Sequence, residues 1–324
     1  THPMTYRIRF RQTASVILSA AALCVCASCT STTPTTPSDE PSRTALVPSS
    51  KVTASVSPLD GIHTRAIINE LVAASGNGPI TKVDITKGAL SITVQIGNSP
   101  TIWTWQNGKI DSSATQSTQT ASRPFNPGDF AVEKLPVILS RAADISGSHM
   151  NQNLQIVEYN QGTVLMTVST KPETQTVFFR PNGSAINHID FASTSGMTEA
   201  LSDAVASAKQ VDQISYQPGK AIIVDTPTTT PGIVMRRTRS ADMPAWAVQR
   251  RSDASATFSP GLLNPHVIVR IMNLAAAQAH QKPSDMEWTI SQDTKLDTPV
   301  LRVDINGLTR AFNTDGTDVT DKIK

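Results

Sequence analysis

The sequence predicts an α+β protein made of tandem two-layer units, each with one helix packed on about three antiparallel strands. Three observations lead to this prediction. A spacing of about 67 residues recurs along the chain, a segment with helical apolar periodicity opens each interval, and segments with alternating apolar residues close it. One amphipathic helix can cover one face of a half-buried antiparallel sheet, which gives two layers.

The repeat is clearest in two segments of similar sequence. FNPGDFAVEKLPVILSR begins at Phe125, and FSPGLLNPHVIVR begins at Phe258, 133 residues later. Steps of about half that length from Phe125 reach Pro58 and Ala192, where other amphipathic segments begin, and a fixed period is typical of repeat architectures. A single layer of this size buries little core, so we expect the units to pair into two larger halves. The predicted units are residues 58–124, 125–191, 192–257 and 258–324.

Each unit is predicted to open with a helix whose apolar residues form one stripe. In the first unit Ser57 is the expected N-cap, Pro58 the first helical residue and Asp60 the acidic residue of the first turn. In the second unit Pro136 marks the beginning of the helix. The expected stripes are Leu59, Ile62, Ala66, Ile67, Leu71 and Ala74 in the first unit, Met197, Ala200, Leu201, Ala204, Val205, Ala208 and Val211 in the third, and Val267, Ile268, Ile271, Met272, Ala275 and Ala279 in the fourth.

Alternating apolar residues predict strands after each helix. The stretch ALSITVQIG at 89–97 alternates regularly, and the following stretch TIWTWQNGKI contains an Asn-Gly turn at 107–108. Similar Asn-Gly and Asp-Gly turns occur at 182–183 and 315–316. The Ser/Thr/Gln-rich stretch at 112–123 is expected to be an exposed linker.

The first 28 residues have the pattern of a secretory signal peptide. Arg7, Arg9 and Arg11 form a positive segment without acidic residues, and a run of small and apolar residues follows from Ala14 to Val25. This run of about 12 residues is shorter than the roughly 20 that a membrane-spanning helix needs. We therefore expect export of the chain.

The residues before Cys29 predict a lipid anchor. Ala27 and Ser28 precede this cysteine, which resembles the lipobox of bacterial lipoproteins, although Cys26 stands where that family prefers Leu. The resemblance implies that the Cys29 thiol receives a diacylglyceryl group, that Cys29 becomes the mature N-terminus, and that acyl chains such as palmitate hold it in the membrane. Cleavage after Ala27, with Val25 at −3, is the alternative. No cysteine follows Cys29, so the mature chain has no disulfide.

Residues 29–57 are predicted to be a tether between this anchor and the folded part. Among residues 30–57, 18 of 28 are Ser, Thr or Pro, a composition that buries too little apolar surface to fold. The formal net charge of +2 includes three arginines in the signal segment, so the mature chain carries −1. A near-neutral chain is not expected to bind nucleic acid.

The sequence contains no pattern that predicts catalysis, a cofactor or a metal. Six histidines are scattered without metal-ligand spacing, and no Gly-x-Ser-x-Gly or phosphate loop is present. In NTDGTDVTD the residues Asn313, Asp315, Asp318 and Asp321 are typical of part of a calcium loop. The aligned stretch RPNGSAI in the second unit has no acidic residue, which favours a turn.

One basic cluster is a candidate contact with an anionic surface. MRRTRS contains Arg236, Arg237 and Arg239, and QRR adds Arg250 and Arg251. Arginines bind phosphate and carboxylate oxygens, which envelope polymers and lipid headgroups supply. The alternative is a solvated strand edge whose charge prevents aggregation. Both hypotheses place these arginines in water.

The tryptophans offer a second candidate surface. Trp103 and Trp105 lie two residues apart on a predicted strand and share one face. They either cover the core under the first helix or form an exposed aromatic ledge for a glycan or partner. Trp246 and Trp288 are expected in the core.

Three functional hypotheses follow from these features. The helix–strand–turn–strand order of residues 58–324 resembles the α+β repeats of exported bacterial proteins of the PepSY and β-lactamase-inhibitor-like kind, which implies a fold and no functional residues. We expect a membrane-anchored cell-envelope lipoprotein that acts as a non-catalytic binding or assembly module, with an envelope protein or an anionic polymer as its partner. The alternatives are a lipid or apolar-ligand carrier with an enclosed cavity, and a cell-wall hydrolase.

Overall fold

The structure is a computed structural model that describes residues 49–115, 122–160, 162–253 and 256–323. Its first half has two helices, each followed by strands. Helix α1 (Thr64–Ala74) precedes β1 (Ile80–Ile85), β2 (Ala89–Ile96), β3 (Ser99–Gln106) and β4 (Lys109–Ala114), and helix α2 (Leu135–Ser146) precedes β5 (Asn153–Asn160), β6 (Thr163–Ser169) and β7 (Val177–Phe179). Short 3₁₀ turns at Pro127–Asp129 and Val132–Lys134 lead into α2.

The second half repeats this order. Helix α3 (Thr194–Val205) precedes β8 (Gln213–Gln217), β9 (Ala221–Pro227), β10 (Ile233–Ser240) and β11 (Trp246–Arg251). Helix α4 (Pro265–Ala279) precedes β12 (Trp288–Asp293), β13 (Thr298–Ile305) and β14 (Leu308–Phe312), and a short helix α5 (Thr320–Ile323) follows. Further 3₁₀ turns lie at Pro260–Leu262 and Pro283–Asp285. The predicted α+β class is confirmed, with four strands rather than three after α1 and α3.

The strands form two antiparallel sheets of seven strands. Their orders are β4-β3-β2-β1-β5-β6-β7 and β11-β10-β9-β8-β12-β13-β14. In each sheet the first strand after one helix pairs with the first strand after the next helix, with Val83 opposite Ile156 and Ile214 opposite Ile290. Each seven-stranded sheet therefore contains strands from two successive repeats.

The apolar helix stripes pack on these sheets. In the first half Ile67, Ile68 and Leu71 of α1 are buried with strand residues such as Ile92 and Ile156. In the second half the buried helix residues are Met197, Ala200, Leu201 and Ala204 of α3 and Ile268, Ile271, Met272 and Ala275 of α4. Of these helix residues, all but Ile68 were expected from their three-and-four spacing, whereas Ala66, which was also assigned to the stripe of α1, is exposed.

The first helix begins at Thr64 and not at Pro58. Asp60 accepts hydrogen bonds from the backbone N–H groups of Ile62 and His63, both at 2.8 Å, and its carboxylate lies 2.6 Å from Nδ1 of His63. A short polar loop therefore precedes the helix, where an earlier helical turn was predicted. Ile62 is consequently 80% exposed.

Two further expectations about the helices are wrong. Ser57 caps no helix, because its hydroxyl donates to the carbonyl of Lys87 at 3.1 Å. Val211 was assigned to the stripe of α3, but this helix ends at Val205. Val211 instead exchanges two backbone hydrogen bonds with Phe258, which ties the chain after α3 to the segment before α4.

The predicted tether extends too far into the folded part. The backbone N–H of Ser50 donates to the carbonyl of Gly108 at 3.2 Å, and the Ser50 hydroxyl accepts a hydrogen bond from Nε1 of Trp105 at 3.0 Å. Val52 is buried in the first core. Residues 49–57 therefore belong to the fold.

The predicted linker at 112–123 also begins within a strand. Residues up to Ala114 form β4, which pairs along its length with β3. Residues 116–121 lie outside the described residues, as do Cys29 and the predicted signal peptide. Within the described ranges, no helix combines the length and apolar character needed to cross a bilayer.

The register of α1 can be tested with two substitutions that remove the same kind of apolar surface. Leu71→Ala opens a cavity in the core and should lower the free energy of unfolding by about 2–5 kcal/mol. Ile62→Ala, on the exposed loop, should change it by no more than about 0.5 kcal/mol. Urea denaturation followed by circular dichroism gives both values, and equal losses would contradict this register.

Candidate functional site

The arginines of β10 point to opposite faces of the second sheet, as alternation along a strand requires. Arg236 pairs with Asp225 on the neighbouring strand β9 through two hydrogen bonds, Nε to Oδ1 and Nη2 to Oδ2, both at 2.7 Å. The hydrogen bond to Asp225 is the largest effect on Arg236, and it raises the pKa of the guanidinium. Arg236 is thus paired within the protein.

Arg239 is completely buried, so the expectation that this arginine lies in water is wrong. Its Nε donates to Oδ2 of Asp203 in α3 at 2.8 Å. Its Nη1 donates to the carbonyl of Met243 at 3.0 Å, and its Nη2 donates to the carbonyl of Asn187 at 3.2 Å. The charge is therefore taken out of water with a carboxylate and several carbonyls in contact.

Asp203 has a second cationic partner from the first half. Arg180, just after β7, donates from Nη2 to Oδ2 of Asp203 at 2.8 Å and to Oε1 of Glu199 at 3.0 Å. Burial lowers the pKa of the Arg180 guanidinium, but the hydrogen bonds and charges of Asp203 and Glu199 outweigh that effect and raise it. We call Arg180, Glu199, Asp203 and Arg239 the junction network, because it joins the end of the first sheet to α3 and β10.

Backbone contacts reinforce this junction. The N–H of Ile189 donates to the carbonyl of Ala241 at 2.8 Å, and the N–H of Ala247 in β11 donates to Oδ1 of Asn160 in β5 at 2.8 Å. The junction network was hard to predict from the sequence, because its members are far apart in the chain. The one available signal was the i, i+4 pair Glu199 and Asp203 on an otherwise uncharged helix.

A cleft of about 450 Å³ lies beside the junction network. We call it the junction cleft. Arg141 of α2 donates from Nη2 to Oδ1 of Asn187 at 3.2 Å, and Nδ1 of His188 lies 2.6 Å from Oδ1 of Asp242. Apolar side chains lie between these polar groups. The residues that line the cleft are Arg141, Ile145, Gln175, Thr176, Val177, Phe178, Ile186, Asn187, His188 and Asp242.

The remaining residues of the predicted basic cluster have different surroundings. Arg250 and Arg251 are exposed on the edge strand β11. Arg237 is half-buried and donates to the carbonyls of Ala204 and Asp203, at 3.2 and 3.3 Å. The five arginines therefore do not form one surface, and contact with an anionic surface remains a hypothesis for Arg250 and Arg251.

The tryptophans are distributed differently from the prediction. Trp105 is buried in the first core and Trp103 packs against it partly buried, which favours the core-covering hypothesis over an exposed ledge. Trp288 is buried, as expected. Trp246 was expected in the core, but it is 38% exposed because it lies at the beginning of an edge strand.

The acidic stretch after β14 forms a hydrogen-bonded turn. Oδ1 of Asn313 accepts from the N–H of Thr317 at 2.9 Å, and Oδ1 of Asp315 accepts from the same N–H at 2.8 Å. Hydrogen bonds to Asp315 from the side chain and the backbone N–H of Thr317 lower the pKa of this carboxyl. Asp318 pairs with Arg310. The described residues contain no group of three His, Cys, Asp or Glu side chains arranged to hold a metal.

Asp212 is a second buried carboxylate near β9. Its backbone N–H donates to the carbonyl of Asp225 at 2.8 Å, and its side chain is buried. Burial, followed by the charge of Asp225, raises the pKa of Asp212. This carboxylate therefore destabilises the folded state when it is ionised.

Comparisons with known proteins place the chain in no family. No protein-family model and no curated protein matches it. Among solved structures it is similar to the Helicobacter pylori beta clamp in complex with diflunisal (11% identity, TM-score 0.15, 89% of this chain and 69% of that chain). A second Helicobacter pylori beta clamp, bound to a DNA ligase peptide, has 8% identity and a TM-score of 0.16 over 81% of this chain and 66% of that chain.

The DNA polymerase accessory subunit PF-8 from Kaposi's sarcoma-associated herpesvirus is also similar. Its identity is 9% and its TM-score 0.14, over 78% of this chain and 93% of that chain. TM-scores of this size carry no argument about the present chain.

The junction network should be essential for stability. Arg239→Ala leaves Asp203 partly unpaired in a buried site, and we expect a loss of about 3–5 kcal/mol in the free energy of unfolding. Arg251→Ala removes an arginine that is exposed on an edge strand and should change it by no more than about 0.5 kcal/mol. Denaturant titration of both variants is the measurement, and a loss below about 1 kcal/mol for Arg239→Ala would contradict the assignment.

Asp212→Asn should stabilise the protein at neutral pH. The raised pKa means that the folded state holds the Asp212 proton more tightly than the unfolded state, so stability is lost as the pH rises from 3.8 through the raised value. The amide cannot ionise and avoids this loss. The gain over wild type should be constant near pH 7 and should shrink as the pH falls towards 4, whereas the exposed control Asp111→Asn should show little change at either pH. Melting temperatures across this range test the sign.

Proposed function

We propose that this protein is an exported, lipid-anchored binding module of the cell envelope that takes its ligand or partner in the junction cleft without chemical conversion. The observation that carries the proposal is the position of the cleft beside the junction network. Arg180 and Arg239 share Asp203 there, so the two halves are held by buried, charge-assisted hydrogen bonds.

A cleft held in this way is pre-organised for binding. Its lining combines apolar side chains, including Val177 and Phe178, with hydrogen-bonding groups on Arg141, Asn187 and His188. Mostly preformed clefts with a few polar groups are typical of ligand sites. Little conformational freedom is lost on binding when the walls are already fixed, which favours affinity.

Packing within the second half supports a surface-binding module over an enclosed carrier. The space between α4 and its sheet, lined by residues that include Ile268, Ile271 and Leu301, has a volume of about 10 Å³. That is room for about one water molecule. A pocket for an apolar ligand takes some 300–1,000 Å³, so the stripe of α4 is filled by its own sheet.

The lipid anchor is tested by its cysteine. Cys29→Ser should move the protein from the membrane fraction to the soluble exported fraction, because the thiol that would carry the lipid is gone. Cys26→Ser is the matched control, since Cys26 is assigned to the signal peptide, and it should leave the protein in the membrane fraction. Fractionation with intact-mass analysis gives the answer. An unmodified N-terminus at Ser28 in the wild type would contradict the anchor.

The junction cleft is tested by site-specific photo-crosslinking in intact cells. A photoreactive amino acid at Gln175, which lines the cleft, should give discrete adducts with envelope components. The same amino acid at Leu308, which is 71% exposed on another edge strand, is the control for non-specific capture. Adducts at both positions in equal yield, or at neither, would contradict ligand binding in this cleft.

A further inference from the structure

Two further clefts meet at the C-terminal end of α3, and no residue of the junction cleft lines either of them. One cleft of about 390 Å³ is lined by residues 205–210 together with Thr226, Pro227 and Arg237. The other, of about 310 Å³, lies between α3 and the loop before α4. They share Val205 and Ala206, so one elongated ligand can occupy both.

The first of these clefts is cationic. Arg237 and Lys209 line it, and its lining contains no acidic residue. Arg237 is half-buried, and its two hydrogen bonds to helix carbonyls are long, at 3.2 and 3.3 Å. No carboxylate of the described residues lies within ion-pair distance of Arg237, in contrast to Arg180, Arg236 and Arg239. Burial lowers the pKa of its guanidinium, and the charge of Asp203 offsets this only in part, so an added anion would offset more of that cost.

The second cleft is mainly apolar. Leu201, Val205, Leu263 and prolines 260 and 265 line it, together with the small polar residues Thr198 and Ser202. An apolar chain bound in this cleft would be removed from water, and its end would lie at the point where the two clefts meet. The combination of a cationic end and an apolar groove is complementary to an amphiphile with an anionic head.

The repeat provides an internal comparison. The buried residues Ile67, Ile68 and Leu71 of α1 match Ala200, Leu201 and Ala204 of α3, 133 residues later, so Thr198 takes the place of Arg65. In the first half Arg65 ties α1 to the loop before α2: its Nε donates to Oε1 of Glu133 at 2.7 Å, and its Nη1 donates to the carbonyl of Pro127 at 2.8 Å. The short Thr198 hydroxyl donates to the carbonyl of Thr194 in its own helix, at 2.7 Å, and Thr198 lines the second cleft. The corresponding groove of the second half is therefore not closed by such a tie.

The backbone at the meeting point is strained. Ala206 has φ +53° and ψ −122°, a conformation that favours glycine. This turn directs residues 207–210 around the cationic cleft instead of continuing the helix. Strain of this kind clusters at ligand sites, where it forms part of the binding geometry.

We propose that the clefts at the end of α3 bind a single-chain amphiphile whose carboxylate or phosphate head contacts Arg237 and Lys209 and whose alkyl chain lies between α3 and the loop before α4. This site is separate from the junction cleft and does not rest on the function proposed for it. A fatty acid and a single-chain lipid phosphate share this chemistry.

Titration calorimetry of the full chain carrying Cys29→Ser, which has no acyl chain of its own to compete, tests the site. The ligands are decanoate, decyl phosphate, decanol and inorganic phosphate. We expect one or both anionic amphiphiles to bind, and their ratio distinguishes a fatty acid from a lipid phosphate. Decanol and inorganic phosphate should bind about tenfold more weakly, because each lacks one half of the contacts. Equal binding of decanol, or no binding of either amphiphile, would overturn the proposal.

Three variants and one control locate the binding. Lys209→Gln, at an exposed position, and Arg237→Gln should each weaken amphiphile binding about tenfold, whereas Arg251→Gln, on the edge strand, should not. Ser202→Trp should abolish binding by filling the apolar groove. Lys209→Gln and Ser202→Trp keep the test decisive if Arg237→Gln does not fold. Unchanged affinity in both of these variants would place the amphiphile elsewhere, and the crosslinking at Gln175 would be unaffected by that outcome.

Discussion

The arrangement of the two halves depends on one partly buried carboxylate, Asp203. Two arginines from different parts of the chain, Arg180 and Arg239, donate to the same Asp203 oxygen at 2.8 Å. Removing these charges from water costs free energy, which their mutual contacts offset only in this geometry. The network thus selects one relative placement of the end of β7, of α3 and of β10. The junction cleft lies beside these elements, so its shape follows from the same geometry.

Pairing between repeats determines which strands lie at the edges of the sheets. Because the first strand after each helix lies in the middle of a sheet, the last strand of each repeat lies at an edge. The edge strand β7 has three residues, and β11 ends with Arg250 and Arg251. Short or charged edges discourage pairing with other chains. This edge position is the one that the strand-edge alternative requires for these two arginines.

The periodicity of the sequence predicted the repeating order of helices and strands, because burial on one face determines both. It did not predict that α1 begins at Thr64, since Asp60 can cap either a helix or the loop that it in fact stabilises. The junction network was not predictable either, because Arg180 and Arg239 lie 23 and 36 residues from Asp203 in the chain. Neighbouring arginines on β10 point to opposite faces, so their closeness in sequence was misleading.

The two halves show how one repeated framework provides a closed groove and an open one. The helix stripes of each half fill that half's own core. Neither half therefore needs the groove between its helices to bury most of its apolar surface. In the first half Arg65 donates hydrogen bonds to the loop before α2. In the second half a threonine, Thr198, stands at that position, and the half-buried guanidinium of Arg237 lies at the end of α3. A single change of residue type between the repeats therefore leaves a groove open beside a cation without altering the sheets that support it.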